Sequence, residues 1–276
     1  MTAHAPIGDH GVNGAGATAV GGRARNEDAY VAESPVYVVA DGMGGHLAGA
    51  EAARAAVAAF QALVTGDAVA PEDVEMAHLE ARRLVAEVQE DVGGDSGTTL
   101  TGAVAVLHAG APWWMVVNVG DSRTYALDGD RLHQVSVDHS HVQELVAQGR
   151  ITPAEALIHP DRNLLTRAIG DGVLAMDAWL VPQVPGRRLV IASDGLMKEV
   201  DDLTIGQIAA LVGDPAAAAE ALVDAAVQRG ARDNVTVVVV DATAVTPAGA
   251  DPAPWPLWGV SAVNDTTPSF RRRSEE

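Results

Sequence analysis

The sequence of 276 residues contains no cysteine. Disulfide bonds, a cysteine nucleophile and a thiolate zinc site are therefore excluded. Aromatic residues are also scarce, at 4% of the chain, although the hydrophobic fraction is 48%. A chain of this length can form one large domain or two small ones, and its core must be built chiefly from Ala, Val and Leu.

Long apolar segments are absent as well. Because no run of about 18 apolar residues occurs, we expect no membrane span. Residues 1–22 contain no basic segment followed by an apolar core, so we also expect no signal peptide and a cytoplasmic protein.

Basic residues are in the minority. The chain has 18 Lys and Arg against 37 Asp and Glu, which gives a formal net charge of -19. Such a surface repels the phosphates of nucleic acids and of anionic membranes, so we expect neither as a partner. An acid excess suits a protein that gathers cations, although solubility alone explains it equally well.

Strand and helix signals follow an order unlike the steady alternation of a parallel α/β sheet. The predicted strands are 17–22, 29–32, 36–40, 98–107, 113–119, 123–127, 131–135, 188–193 and 235–241. The predicted helices are 47–63, 72–90, 141–149, a helix that begins at Thr152, 202–212 and 215–229. Residues 158–188 show no clear period and are predicted to be irregular. Hairpins with paired helices predict an α+β fold of antiparallel sheet covered by helices.

Composition changes towards both ends of the chain. We assign residues 1–17 to a flexible N-terminus, residues 18–243 to one domain and residues 244–276 to a Pro-rich C-terminal tail. The tail contains Trp255 and Trp258, which could dock on the surface of the domain.

Four acidic residues stand at the ends of apolar strands. Asp41, Asp121 and Asp194 each follow a predicted strand and have glycine beside them, and Asp233 stands just before the last strand. One Asp-Gly after a strand is most simply a turn. Four acids in equivalent positions predict a common site.

Carboxylates that converge repel each other unless a cation neutralises them. Ligand sets made only of oxygen favour Mg²⁺ or Mn²⁺ over zinc or copper. Several acids, one of which can bridge, suit a two-metal site that lowers the pKa of a bound water and supplies hydroxide as nucleophile. The acids therefore predict metal-dependent hydrolysis of a phosphate ester.

Eight motifs occur in order between about residues 18 and 241. They are Arg-x-x-Asn-Glu-Asp (23–28), Ala-Asp-Gly-Met-Gly-Gly-His (40–46), Gly-Thr-Thr (97–99), Val-Gly-Asp-Ser-Arg (119–123), Gly-Arg-Ile-Thr (149–152), Leu-Thr-Arg-Ala-Ile-Gly (165–170), Ser-Asp-Gly-Leu (193–196) and Asp-Asn-Val-Thr (233–236). Together they resemble the PP2C type (PPM family) of metal-dependent protein serine/threonine phosphatases, in its compact bacterial form.

The resemblance implies an α-β-β-α sandwich, with two antiparallel sheets flanked by helix pairs and the metals in a cleft at one end. It implies that Asp41 bridges two Mn²⁺ or Mg²⁺ ions and that the backbone carbonyl of Gly42 binds the second ion. Asp194 and Asp233 would complete the site of the first ion. Asp121 matches a third, weaker metal position that it shares with Asp194.

Further roles follow from the same resemblance. Glu27 and Asp28 would act through metal-bound waters, and residues 140–175 correspond to a flap over the active site. Arg23 matches an arginine that grips the substrate phosphate, which suits the fork of donors on a guanidinium. Taken alone, Arg23 would be interpreted as an exposed surface residue.

Two positions depart from the pattern of the family. Met43 stands where relatives outside the bacterial form have a histidine as general acid. His46 is then the candidate proton donor, with the alternative that it holds the glycine turn while water donates the proton. Arg25 stands where Asn is commoner, and it either adds positive charge near the phosphate or points to solvent.

Other phosphatase chemistries lack their residues: no Arg-His-Gly occurs, and residues 128–132 fail to complete Asp-x-Asp-x-Thr. The rival from another class is a catalytically inactive phosphatase fold that serves as a regulatory binding module. Loss of metal acids would mark it, but all of them are present. We therefore predict a monomeric enzyme that hydrolyses phosphoserine and phosphothreonine without a phosphoenzyme. Its expected partners are phosphoproteins, namely a serine/threonine kinase and its targets or, as runner-up, a phosphorylated anti-sigma antagonist.

Overall fold

The computed structural model describes residues 12–44, 48–65, 67–92, 94, 96–172, 175–242 and 244–248. The strands are β1 (Val12–Ala19), β2 (Asp28–Glu33), β3 (Val36–Gly44), β4 (Ser96–Thr98), β5 (Leu100–His108), β6 (Ala111–Val119), β7 (Arg123–Asp128), β8 (Arg131–Gln134), β9 (Asp177–Pro182), β10 (Arg187–Ala192) and β11 (Val235–Ala242). The helices are α1 (Ala48–Gln61), α2 (Pro71–Val92), α3 (His141–Ala147), α4 (Pro153–Ile158), α5 (Asp194–Met197), α6 (Asp202–Leu211) and α7 (Pro215–Gln228). His46, Trp255 and Trp258 lie outside the described residues.

The strands form two antiparallel sheets. One has the order β1-β11-β10-β7-β8, and the other has the order β2-β3-β5-β6-β9 with β4 paired to β3. A buried cluster from both sheets fills the space between them, with Tyr37 and Trp114 packed edge to face at its centre. Alternate residues of each strand point into this cluster, as the two-residue period of a strand requires.

Helices cover the outer face of each sheet. Alanines of α1, with Phe60, pack on the sheet that contains β3, and α2 adds Val74 and Val85. On the other sheet, α5, α6 and α7 bury Leu196, Ile205 and Leu222. The layers are therefore helix, sheet, sheet, helix, and the predicted α-β-β-α sandwich is confirmed.

Two predicted segments differ from the structure. Residues 158–188 are not wholly irregular, because β9 pairs with β6 along its whole length and buries Ala178 and Val181. Residues 12–17, assigned above to a flexible N-terminus, belong to β1, which pairs with β11 at all eight of its residues. Both strands pair with segments that are distant in sequence. In addition, β1 is rich in Gly and Ala and has weak strand propensity of its own.

Local signals were more reliable at the short helix α4. Thr152 caps α4 in a capping box with Glu155, as the Thr-Pro start predicts. The first residues after the domain are tied to it, because Thr246 N–H donates to Gln183 O at 2.8 Å.

Among the residues that the structure describes, no helix is long and apolar enough to cross a membrane.

Candidate metal centre

Asp41 and Asp28 lie side by side at one end of the sandwich. They are direct partners in the β2–β3 ladder. Like charges directly opposite each other in an antiparallel pair are destabilising. Burial raises the pKa of Asp41 well above its usual value, and the charges of Asp28, Asp194, Asp121 and Asp233 raise it further. The sequence therefore places a carboxylate pair where either a proton or a bound cation must relieve the repulsion.

The backbone of Asp41 is held rigidly. Its N–H donates to Thr99 Oγ1 at 3.0 Å, and its carbonyl accepts from Thr99 N–H at 2.9 Å and from Thr98 Oγ1 at 3.0 Å. Thr99 Oγ1 also lies 2.8 Å from Ser122 Oγ, next to Asp121. The Gly-Thr-Thr motif thus links the turn of Asp41 to that of Asp121.

Gly42 is needed because the start of α1 approaches it closely. A Cβ atom at Gly42 would lie 2.1 Å from Gly49 O and 2.6 Å from Glu27 O. The Gly42 N–H donates to Glu27 O at 3.2 Å. The Asp-Gly order therefore brings Glu27, the Gly42 carbonyl and the Asp41 carboxylate to the same end of the sheet.

A second close approach joins the Asp194 and Asp233 turns. A Cβ atom at Gly195 would lie 1.9 Å from Asn234 O, so only glycine allows this contact. Asn234, which the sequence analysis did not select, holds the loop of residues 20–27. Its Oδ1 accepts from Glu27 N–H at 2.9 Å, and its Nδ2 donates to Val20 O at 2.8 Å and Arg25 O at 2.9 Å. Its place in the Asp-Asn-Val-Thr motif was the available signal.

Asp28 connects the two sheets. One of its oxygens, Oδ2, accepts from Ser193 Oγ at 2.9 Å and Thr236 Oγ1 at 2.7 Å. The other, Oδ1, is buried and has no hydrogen-bond partner among the described residues. Burial raises the pKa of Asp28 to about 6, against the lowering effect of both hydroxyl groups.

Asp121 stands in the turn between β6 and β7. Burial raises its pKa to about 7, and repulsion from Asp194 and Asp138 adds to the effect. The nearest compensating charge is Lys198, which lowers this pKa. Asp121 is therefore electrostatically joined to Asp194, as a shared metal position requires.

Within the ranges that the structure describes, cations contact one side of the acidic cluster, that of Asp194 and Asp233. Arg23 Nε lies 2.8 Å from Asp233 Oδ1, and Lys198 Nζ lies 3.0 Å from Asp233 Oδ2 and 2.5 Å from Asp194 Oδ2. Burial would raise the pKa of Asp233, but the hydrogen bonds from Arg23 and Lys198 hold it below its usual value. Asp194 Oδ1 is buried and unpartnered among the described residues.

A buried network behind Asp121 was also missed by the sequence analysis. Gly120 N–H donates to His139 Nδ1 at 3.1 Å, so the other ring nitrogen carries the hydrogen and donates to Asp177 Oδ2 at 3.1 Å. Arg167 donates to Asp177 Oδ1 at 2.8 Å. The network ties the Asp121 turn to the 140–175 segment, and no sequence period announces it.

The donor set fits a divalent cation of the Mg²⁺ or Mn²⁺ class. The cluster offers only oxygen, two buried carboxylate oxygens lack partners in the described part of the chain, and three carboxyl groups have raised pKa values. As the side chains stand, no group of three or more His, Asp or Glu among the described residues is spaced to bind one ion. Lys198 and Arg23 pair with some of the carboxylate oxygens of the cluster.

Comparisons with known proteins agree with this geometry. The family model described as Protein phosphatase 2C matches residues 15–220. The serine/threonine protein phosphatase PstP of Mycobacterium tuberculosis is 39% identical over 224 residues, which are 79% of this chain and 42% of the relative. The serine/threonine phosphatase stp of Listeria innocua is 33% identical over 232 residues, which are 80% of this chain and 88% of the relative.

Solved structures of phosphatases are also similar to this chain. The crystal structure of the M. tuberculosis phosphatase PstP/Ppp has a TM-score of 0.75 at 34% identity and covers 83% of this chain and 98% of its own. The PstP catalytic domain in complex with 2 manganese ions has a TM-score of 0.73 at 34% identity, with 83% and 97% covered. This chain spans less than half the length of the PstP sequence that it matches. It belongs to the protein phosphatase 2C family.

Proposed function

We propose that the chain is a metal-dependent protein serine/threonine phosphatase that transfers the phosphoryl group directly to water, without a phosphoenzyme. The observation that carries the proposal is the acidic cluster. Asp28, Asp41 and Asp121 all have raised pKa values, because they are buried together and none forms an ion pair within the described part of the chain. Such a cluster is costly unless it binds metal. Membership of the family supports the same activity.

Each acid then has a proposed role in the centre. Asp41 would hold both Mn²⁺ or Mg²⁺ ions, the Gly42 carbonyl would help to hold the second ion, and Asp194 and Asp233 would help to hold the first. Asp121 with Asp194 offers a third, weaker position, and Glu27 and Asp28 act through bound waters. When bound, the two ions lower the pKa of a water molecule to near neutrality and so provide the nucleophile.

Arg23 is the proposed phosphate-binding residue. Its side chain is 58% exposed while it pairs with Asp233, so the guanidinium lies at the edge of the cluster and within reach of solvent. A planar guanidinium matches two phosphate oxygens at once. Arg23 therefore orients the substrate phosphate over the acids.

The leaving serine or threonine oxygen needs a proton. His46 is the candidate donor, and water is the alternative. The 140–175 segment would form a flap over the cleft. Its link to Asp121 through His139 supports a place for this segment next to the acidic cluster. The proposed substrates are phosphoproteins, with a serine/threonine kinase and its targets as partners.

The test is hydrolysis of p-nitrophenyl phosphate and of a phosphothreonine peptide, each with EDTA and with added Mn²⁺. We expect no turnover in EDTA and turnover that rises with Mn²⁺. If the folded protein binds Mn²⁺ but hydrolyses neither compound, the chain is an inactive binding module and the proposal is wrong.

A further inference from the structure

Lys198 is the only lysine in the chain, and the other basic residues are all arginine. It caps the C-terminal end of α5, the short helix that begins at Asp194. One helical turn separates the two residues, so their side chains lie on the same face. The single lysine therefore stands directly beside one of the proposed metal ligands.

The ammonium group lies between two carboxylates. Lys198 Nζ is 2.5 Å from Asp194 Oδ2 and 3.0 Å from Asp233 Oδ2. These are the two acids assigned to the first ion, beside the shared ligand Asp41. Each contact pairs the ammonium group with a carboxylate oxygen at ion-pair distance.

A divalent ion and this ammonium compete for the same oxygens. Both carry positive charge, and both need Asp194 and Asp233 at short range. The Lys198 ammonium group can move away from these carboxylates, because its side chain is 36% exposed and has a flexible four-carbon stem. An arginine would grip a carboxylate with two parallel bonds, whereas lysine is a compact point charge that can move away.

We propose that Lys198 is a tethered counter-ion, which neutralises Asp194 and Asp233 in the metal-free protein and is displaced when the first ion binds. This inference rests on the proposed metal centre. Lys198 then has two opposite effects: it stabilises the metal-free fold, and it weakens metal binding. Because linkage is reciprocal, both effects have the same origin.

The first test compares Lys198→Met with the wild-type protein. The variant keeps the length of the side chain and removes its charge. We expect a lower Tm in EDTA and tighter Mn²⁺ binding by calorimetry, by about tenfold. Arg54→Met removes the same charge from an exposed position on α1 and is the matched control; it should change neither quantity by a comparable amount.

The outcomes separate cleanly. If Lys198→Met binds Mn²⁺ as the wild type does, or more weakly, the inference is overturned while the metal centre stands. If the wild-type protein binds no Mn²⁺, the proposed function itself fails. A lower Tm with tighter binding supports the inference, since a merely structural salt bridge would not strengthen metal binding.

A second measurement uses the unmodified chain and so does not depend on how a variant folds. Labelling with [¹⁵N]lysine gives one side-chain ammonium resonance, because the chain has one lysine. We expect a protected signal in EDTA that moves towards a solvent-exposed lysine as Mg²⁺ is added. A signal that stays unchanged after calorimetry shows Mg²⁺ to be bound would contradict displacement.

Discussion

The acidic cluster has two sides, which differ in burial and in their contacts with cations. Asp233 is in contact with Arg23 and Lys198, and its pKa is lowered despite partial burial. For Asp41, burial and the charges of four other carboxylates raise the pKa well above its usual value. The residue type is the same on both sides. Contact with two cations holds the pKa of Asp233 down against partial burial, whereas burial and neighbouring carboxylates raise the pKa of Asp41.

The largest effect should come from Asp41→Asn. Loss of the bridging carboxylate should reduce phosphopeptide hydrolysis by more than the roughly 10- to 100-fold typical of groups that only support a ligand. Because the substitution also removes a repelled charge, the Tm in EDTA should stay the same or rise. Near-normal turnover would refute the bridging role, and a large fall in Tm would refute the repulsion.

Asp233→Asn tests the side of the acidic cluster that contacts cations. It removes the partner of two cations, so the metal-free protein should become less stable, by about 1 kcal/mol because the pairs are partly exposed. Urea unfolding in EDTA measures this change. An Asn variant at Asp233 that unfolds at the same urea concentration as the wild type would show that the two sides do not differ in this way.

The order of hairpins and helices was sufficient to predict an antiparallel α+β fold, whereas the four layers came from the resemblance to the family. Asp41 and Asp194 stand out only because several acids occupy equivalent strand ends, since either one alone is most simply a turn. The contact of Lys198 with Asp233 spans two elements and follows no pattern. The same holds for β9, whose strand conformation depends on β6, and for His139, whose partners lie on three different segments.

Arg23→Ala should have a smaller effect, on substrate binding. Loss of a phosphate contact should raise KM for a phosphopeptide by about tenfold and lower kcat by less, since the guanidinium binds ground state and transition state alike. Arg25→Ala, two residues away and also exposed, is the control. Equal changes in both variants would indicate a general charge effect instead of a specific contact.

The last prediction concerns the network behind Asp121. Burial would raise the pKa of Asp177, but its hydrogen bonds to His139 and Arg167 and the charge of Arg167 lower it. A depressed pKa means that Asp177 stabilises the fold above about pH 4, the value in the unfolded chain, and that this contribution is lost as pH falls through the folded value. Asp177→Asn should therefore lower the free energy of unfolding near pH 7, by about 1 to 3 kcal/mol. The difference from wild type should shrink below pH 4, and a constant difference would contradict this origin.

The central claim is that the acids at this end of the sandwich form one centre for two divalent ions. Electron paramagnetic resonance of free Mn²⁺ during a titration of metal-free protein counts the bound ions directly. The account predicts two tightly bound Mn²⁺ ions per chain, with a third only at higher concentration, and the loss of both tight ions in Asp41→Asn. Tight binding of two ions that survives in Asp41→Asn would contradict it.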